Sequence, residues 1–328
     1  MRWTPRDGDI ILTDENLIFY TMGYAHPDDR VIAYLKYVPL NLKHLFDVPW
    51  LPYTWHLEGV PLVRPAKLYS PKIYRSVILA LRRISEDYVY YSPSDGKEVV
   101  TVPKGKVRRV YVPSECLKFL LSKEMLDPIE ERAVNVIRLL SERSGVPLSN
   151  FGIHGSISLQ MHSEESDVDI TVYGSENFRR VKDALARLVE EGVAEPLLAD
   201  QFDELRRNRV VFEGMRVVVN ATRKLEEIRE KYGHYTYRAL GPVEVECTVT
   251  EDWEAVFRPA VYGVECEDGR IRQVVSMIGQ FRDVAHGGER VRVKGMLERV
   301  EGTDGGWLRI VVGSGVGDDE YIWPVRGV

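Results

Sequence analysis

The sequence contains few cysteines, lacks long apolar runs and has no excess of basic residues. Its three cysteines, Cys116, Cys247 and Cys266, lie far apart, and no Cys-x-x-Cys pair occurs. This spacing indicates neither a zinc ribbon nor a disulfide framework. No apolar run approaches the ~18 residues of a membrane span, and residues 1–9 lack the apolar stretch of a signal peptide. We therefore expect a cytoplasmic protein with no membrane partner.

The formal net charge of −6 argues against a surface covered with basic residues for nucleic-acid binding. It leaves room for a local basic groove. Abundant Arg, Glu and Val, together with little Gln and Cys, make a composition that suits a thermophile. The length of 328 residues predicts two or three domains with room for a real core.

Two short segments near the middle of the chain carry the clearest chemical signal. Residues 151–156 read Phe-Gly-Ile-His-Gly-Ser, and residues 167–172 read Asp-Val-Asp-Ile-Thr-Val. The β-branched residues predict a strand in the second segment, and side chains two apart in a strand share a face. Asp167 and Asp169 would then lie side by side, and a bound Mg²⁺ or Mn²⁺ would offset their repulsion. The alternative is a pair of solvent-facing aspartates on an edge strand.

The Gly-Ser turn is the candidate binding element for a nucleotide. Gly155 lets the backbone approach a ligand closely, because it has no side chain. Ser156 is a candidate cap for a helix over about residues 157–162, whose first N–H groups would face an anion such as a phosphate. Further along the chain, Arg223 and Lys224 would hold a triphosphate if they face this turn. Salt-bridged surface residues are the alternative for this basic pair.

A Gly-Ser turn followed at this distance by Asp-x-Asp resembles the signature of the nucleotidyltransferase superfamily, which includes polymerase beta, CCA-adding enzymes and poly(A) polymerases. The resemblance covers about residues 150–173. His154-Gly155-Ser156 with Asp167 and Asp169 also looks like an uncharacterised archaeal group of predicted nucleotidyltransferases. This resemblance implies a mixed sheet with flanking helices, Asp167 and Asp169 as catalytic metal ligands, and an NTP as substrate.

The superfamily usually carries a third carboxylate on a later hairpin strand, where it activates the attacking hydroxyl. Residues 214–223 contain no Asp or Glu, and Asn220 is the candidate metal-capable side chain among them. A later strand, residues 243–249, places Glu244 and Glu246 on one face by its alternation. If that strand neighbours the Asp-x-Asp strand, Glu246 would be the third catalytic residue. The alternative is a pair of surface glutamates.

The chain as a whole reads as an α+β protein with three domains. Residues 1–112 form a β-rich N-terminal region, and residues 113–257 form the nucleotidyltransferase-like domain. Residues 258–328 are β throughout. Pro71 and Pro128 follow the capping residues Ser70 and Asp127, so each predicts the start of a helix.

The C-terminal region contains about five short strands, with Gly279 in an early one and a Val-Lys-Gly sequence at residues 293–295. This pattern resembles an OB-fold barrel, a class that often binds single-stranded nucleic acid through aromatic and basic groups. Phe281, Arg292 and Lys294 are the candidate nucleic-acid contacts. A barrel used only for packing or dimerisation is the alternative.

These observations lead to two functional hypotheses. The first is a metal-dependent nucleotidyltransferase that moves an NMP from an NTP to a hydroxyl, such as an RNA or tRNA 3′ end, with pyrophosphate leaving. The second is a catalytically degenerate relative that binds RNA or nucleotide without turnover, which the missing third carboxylate favours. Nothing specific in the sequence supports a purely structural role.

Overall fold

The computed structural model describes residues 3–267, 269–303 and 305–325, which form a mixed α+β structure with several sheets. The chain divides into two compact units. Met1–Val110 and Arg229–Val328 make up the first unit, and Tyr111–Ile228 makes up the second. This division differs from the three expected domains, because the N-terminal and C-terminal regions form one unit and residues 229–257 belong to it.

The N-terminal segment of the first unit combines an eight-stranded sheet with one long helix. Its strand order is β4-β5-β3-β2-β1-β8, and β7 pairs with β3 and β6. The elements are β1 (Ile10–Thr13), β2 (Ile18–Thr21), β3 (Arg30–Pro39), β4 (Trp55–Leu57), β5 (Val60–Val63), α1 (Pro71–Ile84), β6 (Val89–Ser92), β7 (Lys97–Pro103) and β8 (Val107–Tyr111).

Helix α1 begins where the sequence predicts it. The side chain of Ser70 accepts a hydrogen bond from the Ile73 N–H at 3.2 Å, so it caps the helix. The apolar residues Ile73, Val77 and Leu81 recur at helical spacing and are buried in one core with Phe19 of β2. This core joins the helix to the sheet.

The second unit is built on a five-stranded sheet with the order β11-β12-β13-β10-β9. Strand β10 runs parallel to β13 and antiparallel to β9. Helix α5 packs on β10 and β13, and α3 packs on α5. The elements are α2 (Pro113–Ser122), α3 (Pro128–Ser144), β9 (Phe151–His154), α4 (Gly155–Ser158), β10 (Val168–Tyr173), α5 (Ser175–Glu190), β11 (Glu195–Pro196), α6 (Asp203–Arg206), β12 (Arg209–Phe212) and β13 (Met215–Thr222).

The C-terminal segment of the first unit is a curled sheet of six strands. They are β14 (Tyr235–Glu251), β15 (Ala260–Cys266), β16 (Ile271–Ser276), β17 (Arg290–Gly302), β18 (Gly305–Val312) and β19 (Tyr321–Pro324). The order is β14-β15-β16-β18-β17-β19, and β14 also pairs with β17, so five strands follow one another in a ring. Strands β16 and β18 are parallel.

Three expectations for this segment need correction. The first barrel strand starts at Tyr235 and not after residue 258. Gly279 lies in a short 3₁₀ turn, Gly279–Phe281, and not in a strand. Cys247 and Cys266 face each other across the β14–β15 ladder and form a disulfide, although no disulfide was expected from their spacing.

None of the helices in the described ranges combines the length and apolar content needed to cross a bilayer.

Candidate functional site

The second unit brings the Gly-Ser turn and the Asp-x-Asp strand into contact. Asp169 of β10 lies opposite His154, the last residue of β9, in the antiparallel ladder. The next residue, Gly155, has a positive φ of 69°. A Cβ added at Gly155 would lie only 2.2 Å from Oδ2 of Asp169, so the turn backbone lies directly against this carboxylate. Glycine is therefore required both by the conformation and by the space.

Asp167, the other aspartate of the motif, directly precedes β10 and is bound by an arginine. Its Oδ1 lies 2.6 Å from Nε of Arg216, which is on the neighbouring strand β13. The Arg216 Nη2 also donates to the carbonyl oxygen of Glu165 at 3.4 Å. The side chains of Asp167 and Arg216 are 40% and 54% exposed, so the ion pair lies at the surface, although the Oδ1 atom of Asp167 is itself covered.

The helix after the Gly-Ser turn is shorter than expected. Helix α4 spans only Gly155–Ser158, and its N-cap position is His154 instead of Ser156. A helix over residues 157–162 is therefore wrong, and one turn offers too few aligned peptide dipoles to attract an anion strongly. The side chain of Ser156 is half-buried in this turn.

The position of the expected third carboxylate on β13 is occupied by other residue types. The parallel register pairs Val168 with Val217 and Asp169 with Val218, which places Arg216 level with Asp167. Asn220 lies level with Thr171, further from the Gly-Ser turn. The strand next to the two aspartates therefore supplies a cation where the superfamily resemblance implies an acid.

The strand of Glu246 does not neighbour the Asp-x-Asp strand, because it belongs to another sheet. Strand β14 pairs with β15 and β17, whereas the neighbours of β10 are β9 and β13. Glu246 forms ion pairs with Arg290 and Arg292, and its hydrogen bond with Arg292 lowers its pKa. Glu244 accepts a hydrogen bond from the Tyr321 hydroxyl at 2.9 Å. Both glutamates thus belong to the face of the C-terminal sheet.

Arg223 and Lys224 also lie away from the Gly-Ser turn. They follow the end of β13, which is level with Tyr173 at the far end of β10. Strands rise about 3.3 Å per residue, so the five residues from Val218 to Arg223 correspond to roughly 16 Å. The Lys224 stem packs against Gly174. We therefore remove this basic pair from the candidate nucleotide site.

One of the three expected nucleic-acid contacts on the C-terminal sheet is buried, and the other two take part in surface ion pairs. Phe281 is only 2% exposed, so its ring cannot stack on a base. Arg292 is paired with Glu246, and Lys294 is paired with Asp319. The sequence pattern did not show that Phe281 is buried or which carboxylates pair with Arg292 and Lys294.

A second polar cluster in the same unit was missed by sequence reasoning. His162 Nε2 lies 2.8 Å from Oδ2 of Asp127, and Lys123 Nζ lies 2.5 Å from Oε1 of Glu130. Asp127 and Glu130 form the capping box of α3, and the Asp127 Oδ1 accepts from Ile129 and Glu130. The pKa of Asp127 is lowered. Burial alone would raise this pKa, but hydrogen bonds from the Glu130 N–H and from His162 outweigh it. The ligand atoms of Asp127, Glu130 and His162 lie within 4.8 Å of one another, as in a metal site, but Lys123 already supplies a positive charge to Glu130.

The chain is similar to the uncharacterized protein MJ1086 of Methanocaldococcus jannaschii, with 28% identity over 329 residues. The similarity spans 93% of this chain and 94% of the archaeal protein, so it includes both units. No protein-family model matches the chain, and no solved structure matches it.

Proposed function

We propose that this protein is a metal-dependent nucleotidyltransferase that moves an NMP from an NTP to a hydroxyl acceptor. The observation that carries the proposal is the contact between the Asp169 carboxylate and the backbone at Gly155. This contact joins the two segments of the motif in one place, with Asp167 two residues away. A pair of unrelated surface aspartates would not require a positive-φ glycine beside one of them.

The residues present fit one divalent cation. Asp167 and Asp169 offer hard carboxylate oxygens, which Mg²⁺ or Mn²⁺ prefers, from side chains that are only partly buried. Asp167 and Asp169 would hold the ion, which would supply positive charge against the negative charge that develops during transfer. The resemblance implies three carboxylates at the metal site, whereas among the described residues this site contains only the two aspartates.

The protein's own groups would position the nucleotide. The Ser156 hydroxyl, next to the turn at Gly155, can donate a hydrogen bond to a phosphate oxygen. The acceptor oxygen would then attack the α-phosphorus while the bond to pyrophosphate breaks. Because β13 supplies no carboxylate, the acceptor proton would pass to water.

The C-terminal sheet supports an oligonucleotide as acceptor, such as an RNA or tRNA 3′ end. Five of its six strands pair in a ring that includes one parallel pair, as expected for an OB-like barrel. Such barrels bind single-stranded nucleic acids. The five-stranded mixed sheet around β10 likewise supports the nucleotidyltransferase-like fold.

We place this activity in the cytoplasm of a thermophile. The archaeal relative comes from a thermophilic organism. Intracellular proteins of hyperthermophiles are a known exception to the rarity of cytosolic disulfides. The Cys247–Cys266 bond is therefore compatible with a cytoplasmic location.

The test is transfer of label from each of the four α-labelled NTPs to an RNA pool with free 3′ hydroxyls, with and without Mg²⁺. Asp167→Asn and Asp169→Asn should each reduce transfer at least about a hundredfold, since they remove charge that binds the ion. Asp183→Asn, which changes an exposed aspartate on α5, serves as the matched control. Transfer that survives both motif substitutions would contradict the proposal.

The second candidate function is nucleotide binding without turnover. It is favoured by Arg216, because this arginine stands on β13 beside Asp167, where the resemblance implies a catalytic acid, and its positive charge cannot replace that acid. Metal-dependent NTP binding by the full chain, combined with no transfer to RNA or to protein hydroxyls, would support this function over the first.

A further inference from the structure

Arg216 and Asp167 form an ion pair at the position where the proposed function needs a metal ligand. The parallel register sets Arg216 level with Asp167, and the two side chains meet at 2.6 Å. The Arg216 side chain is 54% exposed, and its second contact is a long hydrogen bond of 3.4 Å to the Glu165 carbonyl. The guanidinium is therefore held loosely, on the strand next to the two acids.

We propose that Arg216 competes with the divalent cation for Asp167, and that the triphosphate of the nucleotide removes this competition by binding the Arg216 guanidinium. Metal and nucleotide would then bind cooperatively, because either ligand breaks the Arg216–Asp167 ion pair and so frees one of its residues for the other ligand. This inference rests on the proposed function, because it assumes that Asp167 and Asp169 form the metal site.

The chemistry of the three partners supports such an exchange. A partly exposed ion pair is weak, so it opens at small cost. A guanidinium within a few ångströms of a dication repels it, so metal binding favours its departure. Phosphate oxygens match the planar fork of arginine and accept two parallel hydrogen bonds from it. The triphosphate is thus a better partner for Arg216 than a carboxylate that is already bound to a metal.

The first measurement is Mn²⁺ binding to the full-length protein without nucleotide, followed by electron paramagnetic resonance. Arg216→Gln should tighten Mn²⁺ binding on the order of tenfold, because it removes a competing positive charge. Arg132→Gln, which changes an exposed arginine on α3, should leave the affinity within about twofold. Asp169→Asn identifies the site, since Mn²⁺ binding there should be lost.

The second measurement uses inorganic tripolyphosphate, which avoids any base preference, titrated calorimetrically at fixed free Mn²⁺. Arg216→Gln should weaken tripolyphosphate binding about tenfold. Arg216→Lys keeps the charge but loses the planar fork, so its affinity should lie between those of the wild type and Arg216→Gln. Opposite effects on metal and on tripolyphosphate are not produced by a general loss of structure. Thermal melting of each variant checks the fold directly.

The outcomes separate this inference from the proposed function. Tighter Mn²⁺ binding with weaker tripolyphosphate binding in Arg216→Gln supports the competition. Mn²⁺ binding that depends on Asp169 but is unchanged or weaker in Arg216→Gln overturns the competition and leaves the proposed function standing. If neither the wild type nor Arg216→Gln binds Mn²⁺ through Asp169, both are overturned.

Discussion

Arg258 donates a hydrogen bond from Nε to Oδ1 of Asp7 at 2.8 Å, although 251 residues separate them in the chain. The Arg258 Nη1 also donates to the Tyr34 hydroxyl at 3.1 Å. The pair is largely buried, with 16% of the arginine side chain and 5% of the aspartate side chain exposed. It fastens the N-terminal segment of the first unit to its C-terminal segment.

Replacing Arg258 should therefore destabilise the first unit strongly. Arg258→Met leaves the buried Asp7 carboxylate without its main cation, and removal of one partner from a buried pair typically costs about 3–5 kcal/mol. Tyr34→Phe, which removes only one hydrogen-bond acceptor, should cost about 1 kcal/mol. Guanidinium denaturation measures both free energies of unfolding. A similar, small loss in the two variants would show that the ion pair contributes little.

Asp9 should make stability fall as the pH rises towards neutrality. Burial raises the pKa of Asp9 from 3.8 to about 7, although hydrogen bonds from the Trp3 Nε1 and the Arg6 N–H oppose the shift. Because the folded pKa is the higher one, its stabilising contribution is complete below about pH 4 and is lost as the pH approaches 7. A shift of this size corresponds to at most about 4 kcal/mol.

The comparison that isolates this effect is Asp9→Asn, which keeps the oxygen that accepts from Trp3 and Arg6. Urea denaturation at several pH values between 4 and 8 should show a steeper loss of stability for the wild type than for Asp9→Asn. Parallel pH profiles for the two proteins would mean that Asp9 titrates normally.

The Cys247–Cys266 disulfide should stabilise the C-terminal sheet. It closes a loop with a sequence separation of 19 residues, for which the loss of chain entropy predicts roughly 3 kcal/mol. Reductant should lower the free energy of unfolding of the wild type and of Cys116→Ala, which retains the bond. Cys247→Ala should be insensitive to reductant. An equal response of all three proteins would contradict a stabilising disulfide.

Gly155→Ala should damage the candidate site beyond its effect on the backbone. Both Gly155 and Gly192 have positive φ, 69° and 71°, so alanine at either position should cost about 1 kcal/mol of stability. Only at Gly155 would the new Cβ meet Asp169, whereas nothing lies within 4 Å at Gly192. Displacing that carboxylate should reduce NMP transfer roughly a hundredfold.

Gly192→Ala is therefore the matched control for this experiment, measured by transfer rate and by denaturation in parallel. Equal transfer by the two alanine variants would show that the contact between Gly155 and Asp169 has no functional consequence.

Glu246→Gln should leave NMP transfer within about twofold of the wild type, because Glu246 pairs with exposed Arg290 and Arg292 on another sheet. Asp169→Asn, assayed beside it, should abolish transfer. A hundredfold loss in Glu246→Gln would restore this residue as the third acid, and the transfer assay decides between the two outcomes.

Local patterns in the sequence were enough to predict much of the secondary structure. Ser70 and Asp127 cap the helices that begin at Pro71 and Pro128, as their positions indicate. The Gly-Ser turn and the Asp-x-Asp strand are brought together by a similarly local arrangement, because β9 and β10 are neighbours in the chain and in the sheet. These features depend on interactions over a few residues or between adjacent strands.

Partner choice over long distances could not be predicted in this way. The alternation that put Glu244 and Glu246 on one face was sound, but the strand is longer than expected and pairs with β17. A register shift between Ala239 and Gly241 accommodates Gly241 and Pro242 within β14. The same long-range register sets Cys247 opposite Cys266 and Arg216 level with Asp167.

The placement of Tyr111–Ile228 between the two segments of the first unit has a consequence for synthesis. At about 5–20 residues per second, a ribosome needs on the order of ten seconds to make the inserted unit. During this interval the nascent N-terminal sheet exists without β14 to β19 and without Arg258. The inserted unit can complete its own sheet first. The first unit can complete its fold only when translation is nearly finished, so a chain that ends before residue 258 lacks the arginine that pairs with Asp7.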